Sequence, residues 1–211
     1  ADDVMVARIA ERTDGVPLFI EELTRSMLEA GSDATTNGED IPETLQGLLM
    51  ARLDRLDPEV RELAQIGAVI GREFTHDLLA KVSHETKDLE ASLEQLTTSR
   101  LVLQGGSRQS QSFVFRHALI QEAAYNSLLV RRRRTYHQEI AEAFERDSVG
   151  GADVAPELIA RHHTAAENAE AAVPLWLQAG KRAVERSATF EAVDHLEHGV
   201  ELADALPEGS S

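Results

Sequence analysis

Ser112-Phe-Val-Phe-Arg-His-Ala-Leu-Ile-Gln-Glu-Ala-Ala-Tyr125 changes its hydrophobic period halfway along. Phe113 and Phe115 alternate with smaller or polar neighbours, the two-residue period of a half-buried strand. From residue 120 onwards Ile120, Ala123, Ala124 and Leu128 recur at helical spacing. A strand therefore runs directly into a helix, and His117 sits at the junction, where an imidazole at a helix start can meet a ligand.

Upstream, Leu101-Val-Leu-Gln104 and a seven-residue break over residues 105–111 make the partner of that strand, so a β-hairpin is expected. Helical patterns precede it. One opens at Pro42 and carries Leu45, Leu48, Leu49, Leu53 and Leu56 on one stripe. The next takes Asp57 as N-cap and Pro58 as first helical residue, and places Val60, Leu63, Ala64 and Gly67 inward before ending near Gly71. Shorter helices are expected around residues 75–82 and 87–98. Helices followed by a two-stranded ribbon make a winged-helix domain over residues 42–130, with the hairpin as its wing.

Downstream the pattern is helical throughout, at about 117–130, 132–147, 154–168, 171–188 and 189–205, with a break over residues 148–153. Trp176-x2-Ala179-Gly180-x2-Ala183 and Ala192-x3-Leu196-x2-Gly199 fall into the spacing of one degenerate tetratricopeptide repeat, so residues 131–211 read as TPR-like helical hairpins. At the other end, helices over about 2–13 and 17–30 are separated by Gly15-Val-Pro17. Pro17 suits a first helical turn and Gly31 a left-handed cap. Residues 1–30 form one helical segment, and residues 31–41 an acidic linker. The expected class is mainly α with a small β-hairpin, and the sequence reads as a fragment of something longer.

Composition narrows the function. The 37 acidic residues against 21 Lys and Arg give a formal charge of −16, which repels nucleic-acid phosphates and anionic membranes. There is no cysteine, which removes disulfides, thiolate metal sites and a cysteine nucleophile. No apolar run reaches the roughly 18 residues of a membrane span, and no signal peptide opens the sequence. A cytoplasmic protein without membrane contact is expected. The aromatic content of 4% favours several small helical units over one large core.

Sites are few. No Gly-x4-Gly-Lys-Ser/Thr loop is present, and no metalloprotease, nucleophile-elbow or dinucleotide motif, so no catalytic residue is assigned. His195-Leu-Glu-His198, with Glu191 and Asp194, has the spacing of a metal pair but reads better as a polar helix face, and His162-His163 diverge on a helix. No metal site is assigned. Arg131-Arg-Arg-Arg134 is the one concentration of positive charge and is read as partnering surplus carboxylates, another domain or a phosphate. A winged-helix DNA-binding regulator is the alternative function. Its recognition helix would be the one over 87–98, where Glu85, Asp88, Glu90 and Glu94 outweigh Lys87 and Arg100, so nucleic acid is an unfavoured partner.

Four stretches support a resemblance. Gly15-Val-Pro-Leu-Phe-Ile-Glu-Glu-Leu-Thr-Arg25, Ile41-Pro-Glu-Thr-Leu-Gln-Gly-Leu-Leu-Met-Ala-Arg-Leu-Asp-Arg-Leu56, Ala68-Val-Ile-Gly-Arg-Glu-Phe74 and Phe115-Arg-His-Ala-Leu-Ile-Gln-Glu-Ala-Ala-Tyr125 resemble, in order and spacing, the STAND-type P-loop ATPases of bacterial multidomain regulators. Such regulators often carry a class III adenylate/guanylate cyclase or a transcription-factor module, with helical repeats after the ATPase. The resemblance covers about residues 5–200 and implies a position on the C-terminal side of the P-loop, with residues 1–30 as lid helices of the ATPase.

It implies that Pro17 packs on adenine and that His117 reaches the β-phosphate of bound ADP, in the place of a Met-His-Asp triplet. Here that triplet reads Arg116-His117-Ala118, so only the histidine agrees and Ala118 brings no carboxylate. The implied cofactor of the intact parent is ATP or ADP with Mg, and none is expected for the fragment alone. The implied partners are the upstream P-loop domain and a protein or small molecule at the repeats. The implied role is non-catalytic coupling of nucleotide state and partner sensing to output, in a parent that is an ATPase and can also carry a cyclase.

Overall fold

Phe113 and Phe115 point to the same inner face of β3 (Ser110–Phe115) and are buried, because alternate residues of a strand share a face. Phe74 of β1 (Glu73–Thr75) completes the cluster, its ring centroid 5.8 Å from that of Phe113 and 5.6 Å from that of Phe115. β3 is the middle of a three-stranded antiparallel sheet of order β1-β3-β2, with β2 spanning Val102–Ser107. Phe74 pairs with Phe113, and Val102 with Phe115. These features come from a computed structural model that describes residue 13 and residues 16–30, 44–84, 88–107 and 110–206.

The sheet differs from the two-stranded ribbon expected from sequence in two ways. β1 stands where the pattern suggests only the approach to a helix, since a three-residue strand with one apolar residue carries no period, and it exists only because β3 offers it an edge. The hairpin strands also run through much of the expected break, with Gly105 opposite Ser112 and Gly106 opposite Gln111. Backbone pairing does not need side chains, so glycine and serine leave no periodic trace. Gly106 takes a φ of 83°, open to glycine without strain.

Among the described residues there are ten helices: α1 (Pro17–Ala30), α2 (Leu45–Asp54), α3 (Pro58–Ile70), α4 (His76–Val82), α5 (Leu89–Thr98), α6 (Ala118–Asn126), α7 (Val130–Val149), α8 (Pro156–Ala165), α9 (Ala169–Glu185) and α10 (Thr189–Asp204). The fold is mainly α, as expected. α2 starts at Leu45 because the Thr44 hydroxyl accepts from the Gly47 N–H, a capping bond that the expected start at Pro42 overlooks. Thr75, Asp88 and Asn168 cap α4, α5 and α9 in the same way. Asp57 precedes α3 without a side-chain capping bond, and its carboxylate accepts from Gln95 Nε2 at 3.0 Å. α7 begins two residues earlier than expected and runs to Val149, since its four arginines are good helix formers. Pro174 lies in the second turn of α9, where the missing N–H leaves the Glu170 carbonyl without its usual partner.

One core unites α2 to α7 and the sheet, with Leu53, Leu63, Leu79, Leu96, Phe115 and Ile120 all buried. α7 contributes Tyr136, Ile140 and Ala143 to it. α1 adds a smaller cluster in which Phe19 and Leu23 pack on Leu48 of α2. Beyond α7, Ala160, Ala172 and Trp176 bind α8 to α9. Close backbone approach then seats α10, where a Cβ on Gly180 would fall 2.7 Å from Leu196. No helix among the described residues is long and apolar enough to cross a membrane. Of the expected helix over 2–13 only Thr13 is described, and it is helical; the acidic linker over 31–41, Gly15, Gly31, Pro42, Glu85 and Lys87 lie outside the described residues.

Candidate functional site

The strand-to-helix junction is fixed by main-chain bonds on both sides. Phe115 N–H donates to the Arg72 carbonyl at 2.9 Å and Arg116 N–H to the Leu101 carbonyl at 3.1 Å. His117 is the N-cap of α6, with φ −137° and ψ 144°, and its carbonyl accepts from Ile120 at 3.0 Å. Its half-buried imidazole makes no capping bond. A helix start of this kind leaves its first N–H groups without partners inside the helix.

Pro17 is the exposed first residue of α1. Glu21, one turn further and on the same helix face, approaches Arg116 Nη2 at 3.5 Å. Pro17 and His117, 100 residues apart in sequence, are thus linked through one ion pair between their near neighbours. Exposed Val16 and Ile20 on the α1 side and Leu119 on the α6 side give this region apolar surface as well.

The other candidates take structural places. His198 stacks on Trp176 at 4.8 Å, and buried His195 lies 5.4 Å from the same ring. No group of three or more possible metal ligands occurs among the described residues. The arginine run meets several partners. Arg132 is 2.6 Å from Glu62, Arg134 pairs with Glu167, and the Arg133 guanidinium lies 4.2 Å from the centre of the Tyr125 ring. On α5, Glu90 and Glu94 are exposed, leaving that helix an acidic outer surface.

Two arrangements have no counterpart in the sequence reading. His137 of α7 and His162 of α8 are both buried, with their Nδ1 atoms 2.9 Å apart, and the Tyr125 hydroxyl lies 3.0 Å from His137 Nε2. Burial, then the charge of Arg133, pushes His137 down to about 4. Burial, then the neighbouring His137, His163 and Arg161, pushes His162 down to about 3. Both rings are neutral at pH 7, one donating and the other accepting. Adjacent His163 turns to Glu145 at 2.8 Å.

The second is a pocket of about 210 Å³ between α3, α4 and α7, lined by Glu62, His84, Arg132, Tyr136 and Glu139 among others. Tyr136 donates to Glu62, and burial with that carboxylate pushes its phenol well above the usual range. Burial also raises Glu139. Neither arrangement has a local signal, since each joins residues from separate helices.

No family model matches the sequence. It is 29% identical over 204 residues to an uncharacterized protein of Rhizobium meliloti (strain 1021), an alignment that covers 93% of the sequence and 20% of that protein. The protein therefore spans about one fifth of the length of the relative it matches.

Proposed function

We propose that this protein is a regulatory, non-catalytic region lying on the C-terminal side of the nucleotide-binding domain of a bacterial STAND-type P-loop ATPase. In this reading α1 belongs to the ATPase lid, α2 to α6 with the sheet form a winged-helix domain, and α8 to α10 begin a TPR-like sensor. The parent works in the cytoplasm, probes nucleotide state through Pro17 and His117, and passes it to an output such as an adenylate/guanylate cyclase. The observation that carries this reading is the Glu21–Arg116 pair, which ties the Pro17 helix to the His117 junction. The length of the relative, about five times the aligned portion, leaves room for an ATPase and an output domain.

The residues present fit part of a nucleotide. The uncapped His117 imidazole and the first N–H groups of α6 suit a phosphate oxygen, and exposed Pro17 suits the face of a base. Bound ADP would supply the phosphate charge that these groups read, while the phosphate cradle and the Mg ligands belong to the upstream domain. Residues 1–211 alone accordingly bind ADP weakly or not at all, and micromolar binding by calorimetry would contradict this.

In a longer version that includes the upstream domain, His117→Ala lowers ADP affinity about tenfold, the effect of one lost charged hydrogen bond. An upstream region without a P-loop, or unchanged affinity in His117→Ala, removes the reading. The DNA-binding alternative has no observation in its favour, because the outer surface of α5 is acidic.

A further inference from the structure

Two adjacent carboxylates on α1 meet arginines from three places in the sequence. Both oxygens of Glu22 accept from Arg52 Nη1 of α2, at 2.6 and 2.5 Å. The other terminal nitrogen of Arg52 donates to the Ser99 carbonyl at the end of α5. Arg25 reaches Glu21 at 2.9 Å and Glu22 at 3.4 Å, and Glu21 reaches on to Arg116 at 3.5 Å. The result is a continuous charged network, Arg116–Glu21–Arg25–Glu22–Arg52–Ser99. Its inner pair joins a buried Glu22 to a half-buried Arg52, their side chains 5% and 12% exposed.

Such a pair adds little adhesion. Removing two charges from water offsets most of their attraction, and an apolar pair of similar volume would hold α1 as well. Adhesion is already provided by Phe19 and Leu23 against Leu48. What the charges add is register. Consecutive residues on a helix diverge by about 100°, so Glu21 can meet Arg116 while Glu22 meets Arg52 at only one rotation of α1. Apolar contact tolerates sliding and rotation, whereas a two-point ionic contact does not.

We infer that Glu22 and Arg52 are positioning residues, a charged latch that sets the rotation of α1 on α2 and so the direction in which α1 presents Pro17 and brings Glu21 to Arg116. Closed, the latch joins Glu22 to Arg52; open, Glu22 keeps Arg25 and Arg52 keeps the Ser99 carbonyl, so α1 can turn on its apolar contact without stranding either charge. Its meaning as a switch rests on the proposed nucleotide reading. Its existence does not.

Hydrogen exchange on the protein itself, without nucleotide, tests the latch. In Glu22→Gln and in Arg52→Met, which keep the side-chain volumes, the α1 amides exchange about tenfold or more faster while those of α3, α6 and α7 keep their protection. Arg52→Lys, which keeps the charge, retains most of the α1 protection. Unchanged α1 protection in both neutral variants means that apolar contact alone sets the register, and the inference fails. Parallel loss of protection in α1 and the core makes the pair a general stabiliser instead of a latch, which also overturns it. Because ADP is absent, a failed nucleotide titration does not touch this result, and a failed latch leaves the titration to stand by itself.

Discussion

Lowering the pH from 7.5 to 5 should loosen the seam between α7 and α8, by an amount that follows from the buried histidine pair. An unfolded histidine titrates near 6.5, whereas His137 and His162 are held down to about 4 and about 3. Between 6.5 and those values the unfolded state binds protons that the folded state refuses, so stability rises with pH in that window and falls as pH drops through it. At pH 5 the unfolded ring lies 1.5 units below its own midpoint while the folded ring is still neutral. Each histidine then contributes a loss of about 2 kcal/mol, and the two together about 4 kcal/mol.

Urea unfolding followed by the fluorescence of Trp176 reports the loss of α8, the helix that carries His162, from its packed position. Trp176 is the protein's only tryptophan, is buried, and donates to Thr164 of α8 at 3.0 Å. Other groups titrate over the same range, so the decisive quantity is the difference between the parent and His162→Gln. The variant keeps a polar group at the site but loses one titration, and its stability should fall by about 2 kcal/mol less over the same pH interval. Identical pH dependence in the two proteins would show that His162 is not buried as a neutral ring, and the reasoning would be wrong.

Gly67→Ala should lower the melting temperature. Its Cβ would lie 2.8 Å from a Phe74 ring atom, and that ring is enclosed by Phe113 and Phe115. Overpacking of about 1–3 kcal/mol then outweighs the roughly 1 kcal/mol of helix propensity gained, and a variant that melts higher would contradict this contact. Thr44→Ala removes the hydroxyl that caps α2 and should cost about 1 kcal/mol in urea unfolding, with Thr44→Ser close to the parent. Asp147→Ala breaks an exposed pair with Lys81 and should change stability by less than about 1 kcal/mol, so a larger loss in thermal unfolding would mean that the pair is shielded from solvent.

Much of the fold was legible locally. The alternation of Phe113 and Phe115, the stripe from Leu45 to Leu53 and the Asp57-Pro58 start each express contacts within one or two turns, which is where periodicity carries information. The site was legible only in part. Placing His117 at a helix start needed just the change of period around it, and Pro17 at a helix start needed just its fixed φ. That Arg116 and Glu21 join them is visible only once α1 packs on α2.

The sequence by itself determined most of the helices, the two apolar strand segments of the hairpin and which of their faces are apolar, because those properties depend on neighbours along the backbone. The tertiary structure decided which polar groups meet. Glu22 finds Arg52 across 30 residues, and His137 finds His162 across 25. β1 owes its existence to the edge of β3. In each case the partner is selected by the direction in which two packed elements approach, and no local pattern encodes that direction.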